Sequence, residues 1–233
     1  MGIAEHAHVF AGKRVEWYDA DAGATAPPGS CFYRIGGGID YDDAHDFDFA
    51  ELLERFLADP CVHPVVGLVI GAWGFESTDD SGPVVAALIE ASERLPHLRA
   101  LFLADVIQEE TEISWIGHAG LTPLFSGTRL PKLRYLGLRN ASGADGLVRR
   151  LVGSAILRQI RVLDLSLGDL GDAGLDALLA DADAVGKLER LDLHHHYLTD
   201  AGVARARSLG VPVDVGDQHP IDDEDYRYIA HSE

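Results

Sequence analysis

LDLHHHYLTDAGVARARSLG (residues 191–210) follows LDLSLGDLGDAGLDALLA (residues 163–180) at a spacing of 28 residues, and the two read as copies of one unit. Each opens on an alternating Leu-x-Leu, crosses a short polar turn and continues with apolar residues at helical spacing. Alternation at period 2 marks a strand, whereas Leu175, Leu178 and Leu179 recur as they would on one face of a helix. Working outward, Leu98-x-x-Leu101-x-Leu103, Leu133-x-x-Leu136-x-Leu138 and Ile160-x-x-Leu163-x-Leu165 precede Leu188-x-x-Leu191-x-Leu193. Val65-x-x-Leu68-x-Ile70 is a looser early copy and Val211-x-Val213-x-Val215 a truncated last one. From Leu68 through Leu101, Leu136, Leu163 and Leu191 the spacings are 33, 35, 27 and 28 residues.

Helix-start signals lie between the strand motifs. Ser81 precedes GPVVAALIEASERL with Pro83 in the first turn, Asp172 precedes AGLDALLAD, and Thr199-Asp200 precedes AGVARARSL. A strand, a turn and a helix at this period predict an α/β leucine-rich-repeat solenoid. This is a curved right-handed superhelix with parallel strands on the concave face and helices on the convex face. Each unit buries its leucines only against its neighbours, so the ends need caps. Residues 1–64 are expected to form the first cap, a β-hairpin of residues 13–18 and 31–35 followed by an amphipathic helix over 49–58 with Leu52, Leu53, Phe56 and Leu57 inward. Residues 65–215 hold the repeats, and residues 216–233 form an acidic C-terminal cap or tail whose Tyr226, Tyr228 and Ile229 are candidates to dock on the last repeat.

The units at 163–180 and 191–210 resemble leucine-rich repeats of the ribonuclease-inhibitor-like subtype. RLPKLRYLGLRN (129–140), EISWI (112–116), LDLSLG (163–168), LDLHHHYL (191–198) and YRYIAHSE (226–233) are similar, more closely, to a family of bacterial cytoplasmic repeat proteins. The resemblance spans most of the chain. It implies the fold and a cytoplasmic address, and it brings no established catalytic residues.

Composition bounds the function. The 233 residues carry a formal charge of −19, distributed as −8 over residues 1–60, −6 over 61–110, +1 over 111–213 and −6 over 214–233. Such a chain cannot neutralise phosphates over a broad surface, so nucleic acid is not expected as a partner, and neither is an anionic membrane. The opening MGIAEHAHVFAGKR has no apolar core of a secretory signal, and Cys31 and Cys61 make no disulfide framework. A cytoplasmic protein is expected.

Period-2 alternation also predicts which side chains leave the concave face. At equal register the middle row reads Val69, Phe102, Gly137, Asp164, Asp192 and Asp214, flanked by Tyr135 and Arg190 before it and Arg139, Ser166 and His194 after it. Three aspartates on consecutive strands repel unless a cation lies over them. The reading is a non-catalytic protein-interaction module, a scaffold or adaptor. Its concave residues Phe102, Tyr135, Arg139, Asp164, Ser166, Arg190, Asp192, His194 and Asp214 would meet a protein partner, one with a basic surface suiting the acids. No cofactor, metal ligand or catalytic residue is expected. The alternative is a metal-dependent enzyme or accessory protein using Asp164, Asp192 and His194. In the tract His194-His195-His196, alternation sends His194 and His195 to opposite faces, so the three do not converge on one ion. His196 takes the turn position at which the repeat consensus has Asn, predicting a side-chain bond to the turn backbone. The glycines at 36–38, the acids between Asp40 and Asp48 and the pair Cys61 and His63 match no complete phosphate, calcium or nucleophile motif.

Overall fold

The computed structural model describes residues 8–11, 31–36, 49–59, 64–70, 82–103, 119–221 and 226–230. Its strands are β1 (His8–Ala11), β2 (Cys31–Gly36), β3 (Val65–Ile70), β4 (Ala100–Leu103), β5 (Tyr135–Leu138), β6 (Val162–Asp164), β7 (Arg190–Asp192) and β8 (Val213–Asp214). They form one sheet in chain order, β1 to β8. The seven strands β2–β8 are parallel and β1 is antiparallel to β2. This is an open α/β repeat-like fold, and a sheet whose spatial order equals its sequence order fits a solenoid.

The register shows why the leucine period has this outcome. Leu68, Leu101, Leu136, Leu163 and Leu191 stand opposite one another across five strands. All five are fully buried in one continuous core, against helix residues such as Leu88, Leu147, Leu157, Leu175 and Leu178. Those residues come from α2 (Gly82–Glu90), α4 (Ala144–Leu151), α5 (Ala155–Gln159) and α6 (Asp172–Ala180), which follow α1 (Phe49–Ala58) and α3 (Thr122–Phe125) in the chain. Two more, α7 (Ala182–Val185) and α8 (Asp200–Arg207), complete the set among the described residues. No helix among them is long and apolar enough to cross a membrane.

The N-terminal hairpin pairs different residues from those expected. Cys31–Gly36 is a strand, but its antiparallel partner is His8–Ala11; residues 13–18 lie outside the described residues. Helix α1 has its predicted bounds, with Phe56 and Leu53 buried and Tyr33 edge-on to Phe56 at 5.0 Å. The acids between Asp40 and Asp48, the glycines at 37–38, the EISWI segment and Cys61 with His63 also lie outside the described residues.

Neighbouring units cap one another. Helix α4 starts after Gly143, which has no side chain; instead Asp169 of the next unit accepts from Gly143 N and Ala144 N, both at 2.7 Å. Helix α6 starts after Gly171, and Asp145 of the preceding unit accepts from Gly171 N and Gly174 N, both at 2.9 Å. Carboxylates at helix N-termini satisfy orphan N–H groups and complement the helix dipole. Thr199 is the predicted N-cap of α8, its Oγ1 accepting from Gly202 N at 3.0 Å.

Residues 226–230 lie back over these turns. Arg227 Nη1 donates to Asp145 Oδ2 at 3.0 Å and to the Asp169 carbonyl at 2.9 Å. Tyr197 Oη accepts from Tyr228 N and donates to the Tyr228 carbonyl, and Ala230 N donates to the Leu167 carbonyl. Ile229 is buried as expected, but Tyr226 and Tyr228 point outward and stack at 6.4 Å. Exposure alternates along the segment, with Arg227 and Ile229 turned to the protein and the two tyrosines to solvent.

Candidate functional site

The sheet face away from the helices changes character along its length. At the β2–β6 end Phe32, Val66, Val69, Ala100, Phe102, Tyr135 and Val162 make a second apolar cluster. Phe102 and Tyr135, expected there as open contact residues, do lie on this face but are buried. The cause is a ring-over-glycine arrangement. Phe32 stands opposite Gly67 and Phe102 opposite Gly137, and each ring covers the glycine of the following strand so closely that a Cβ there would collide with it.

Asp164, Asp192 and Asp214 occupy one row on β6, β7 and β8, as the alternation predicts. Each uses Oδ1 in the same way, accepting the backbone N–H two residues on: Ser166 N at 2.9 Å, His194 N at 3.1 Å and Gly216 N at 3.0 Å. This Asx-type bond lets the side chain take over where the strand ladder ends. Arginines from the flanking rows balance the second oxygens. Arg139 Nε lies 3.6 Å from Asp164 Oδ2 and donates to Ser166 Oγ at 3.2 Å. Arg190 Nη2 donates to Asp192 Oδ2 at 3.0 Å and lies 3.8 Å from Asp214 Oδ2.

Exposure rises along the row, with Asp164 buried, Asp192 half-buried and Asp214 exposed. Burial pushes the Asp164 carboxyl above its usual range, opposed by Arg139 and reinforced by Asp192. Ser166 is buried and His194 half-buried. The structure thus brings the expected residues together as two groups, Arg139 with Asp164 and Ser166, and Arg190 with Asp192 and Asp214. Of these six only Arg190 and Asp214 present their side chains substantially to solvent. The aspartates end their strands and balance arginines.

The three consecutive histidines diverge. His196 is fully buried; its Nδ1 accepts from Leu198 N at 3.1 Å, which leaves Nε2–H to donate to the Val215 carbonyl at 3.3 Å. That is the turn bond predicted from its place in the repeat. Burial holds its pKa below the ordinary histidine value. His195 adopts a left-handed φ of 60°, as Asn140, Leu167 and Asp217 do at the corresponding turn position after β5, β6 and β8. That conformation turns the buried His195 ring toward the neighbouring turns, where Nδ1 is 3.1 Å from the Gly168 carbonyl.

Here the turn after β8 delivers two residues that sequence reasoning missed, Asp217 and His219. One ligand-type atom from each of His195, Asp217 and His219 lies within 4.8 Å of the other two. The rings of His195 and His219 are 4.3 Å apart. His219 Nε2 lies 3.2 Å from Asp217 Oδ2, and this contact holds the Asp217 carboxyl below its usual range. The available signal was the spacing Asp-x-His directly after the truncated last strand, one turn on from the histidine tract. A separate open cavity of about 420 Å³ lies in the connections preceding β4 and β5, lined by Leu95, Leu98, Arg129 and Lys132 among others, away from the acids at the strand ends.

No family model and no curated protein matches the chain. Among solved structures it is similar to a Bacteroides fragilis protein studied in a structural-genomics programme. The identity is 21%, the match covers 82% of this chain and 75% of that one, and the TM-score is 0.47. A likeness of that degree assigns neither a family nor a function.

Proposed function

We propose that the chain is a leucine-rich-repeat protein of the ribonuclease-inhibitor-like kind, acting in the cytoplasm as a non-catalytic scaffold or adaptor. In this reading residues 1–64 are an N-terminal cap, 65–215 the repeats and 216–233 a tail. A protein partner with a basic surface docks at the β7–β8 end of the concave sheet face. The observation that carries the reading is the strip of Arg190, Asp192 and His194 along and just past β7, with Asp214 in register with Asp192 on β8; it is partly open, whereas the β2–β6 end of the same face is closed by its own aromatic rings. Exposed strand residues on a rigid repeat frame make an extended binding surface. A basic partner would compete with Arg190 for the carboxylates, most readily at Asp214, where the contact at 3.8 Å joins two exposed side chains and costs little to open.

The test is capture of partners from lysate by immobilised wild type and by the double variant Asp192→Asn, Asp214→Asn. A specific protein retained by wild type and lost, or eluted at lower salt, with the variant supports the reading. Identical capture by both removes the strip as the docking site.

A further inference from the structure

The turns after β7 and β8 are held together before any ligand is considered. His195 N donates to the Gly216 carbonyl at 3.1 Å, His196 N to the Asp217 carbonyl at 3.2 Å and His219 N to the His196 carbonyl at 2.8 Å. His196 and Gln218 form an isolated parallel bridge. The backbones that carry His195, Asp217 and His219 are therefore fixed relative to one another.

On that frame sit two imidazoles and one carboxylate whose ligand atoms lie within 4.8 Å of each other. Tetrahedral zinc at metal–ligand distances of about 2.0–2.1 Å wants its ligand atoms roughly 3.4 Å apart, so modest side-chain adjustment suffices. Two further features point to a ligand. The His219 Nε2 atom is shielded from solvent although its side chain is 37% exposed, and it sits 3.2 Å from Asp217 Oδ2, so these two ligand-type atoms already face one another. Also, with Nδ1–H of His195 donated to the Gly168 carbonyl, the lone pair of that ring resides on Nε2. A backbone carbonyl holding the second nitrogen is the usual outer support of a metal-bound histidine.

We propose that His195, Asp217 and His219 form a binding site for a single divalent transition-metal ion of the zinc class, clamping the turn after β8 to the turn after β7. Two nitrogens and one oxygen suit a borderline ion and are too few oxygens for calcium or magnesium. Three protein ligands leave one position for water or an outside donor. The bound ion would take a lone pair from the shielded His219 nitrogen and neutralise the Asp217 charge. His219 also lies 5.7 Å from the Tyr197 ring, whose hydroxyl holds the tail at Tyr228, so the clamp stands next to the tail anchor. His194, which belongs to the docking strip, is not one of the three clustered groups, although its charge reaches Asp217.

Chelator-stripped full-length protein is titrated with zinc chloride by calorimetry and melted with and without the ion. The expected result is one zinc per chain and a rise of about 5 °C in Tm at a hundredfold excess over Kd. Asp217→Asn, which keeps a residue tolerant of the left-handed turn, and His219→Ala each weaken binding about tenfold or more, and the double variant abolishes it. His194→Ala binds zinc like wild type. Absence of heat and of a Tm shift in wild type, binding that survives in the double variant, or equal loss in His194→Ala would overturn the proposal.

Discussion

The ring of Phe102 lies across Gly137, the residue directly opposite it on the next strand. The pair joins β4 to β5 on the face that the helices do not cover, and Phe32 over Gly67 repeats the device two strands earlier. Gly137→Ala puts a methyl group into the space of the ring. The expected cost is about 1–3 kcal/mol in denaturant unfolding, the usual range for overpacking. Adding Phe102→Leu should recover part of it, and an additive double-mutant cycle would show that the two residues do not interact.

Acid sensitivity should trace to His196. Its folded pKa lies below the ordinary value of 6.5 because burial disfavours the charged ring. The neutral form is therefore the stabilised one. Its contribution is fully present above pH 6.5 and is lost as the pH falls through the lower folded value. Melting between about pH 8 and pH 5 should show a decline in Tm that His196→Asn flattens, since Asn can bond the turn without titrating. An unchanged pH slope in that variant would move the sensitivity elsewhere.

Asp164 carries the opposite sign. Burial raises its pKa, so its favourable contribution is complete below the ordinary 3.8 and is lost as the pH rises through the raised folded value. At neutral pH Asp164→Asn keeps an acceptor for Ser166 N and removes a buried charge, at the loss of the contact with Arg139. These changes offset, and stability should shift by less than about 1 kcal/mol. Asp164→Ala leaves the buried N–H without its acceptor and should cost about 1–3 kcal/mol by urea unfolding.

Asp145 serves two units and the tail at once. Asp145→Ala strips the acceptor from Gly171 N and Gly174 N and the carboxylate from Arg227, and should cost about 2–4 kcal/mol. Arg227→Ala spares the cap and should cost about 1–2 kcal/mol. If the two variants are equally stable, the tail contact and not the cap dominates.

The leucine spacing made β3 to β7 and their register legible, because burying one row of a parallel sheet forces residues such as Leu136, Leu163 and Leu191 into line. The turn role of His196 was legible for the same reason, being set by its count from Leu193. Alternation also named the faces of Phe102 and Asp164, but it tells direction and not cover, so their burial was invisible. Two relationships lay beyond any local pattern. Arg227 meets Asp145 across 82 residues, and His219 meets His195 only because a two-residue strand brings the last turn beside the one before it.

A chain of units that touch only their neighbours melts from its ends, each terminal unit fraying independently of those deeper in. The Arg227 crossing changes that behaviour. Because the 226–230 segment is fastened at Asp145, Asp169, Leu167 and Tyr197, the units carrying β6 and β7 cannot open singly without first releasing a strap that also holds the unit of β5. The stretch from α4 to the turn after β7 is therefore expected to open as one cooperative block, with amide protons in α4, α6 and that turn sharing a single exchange free energy.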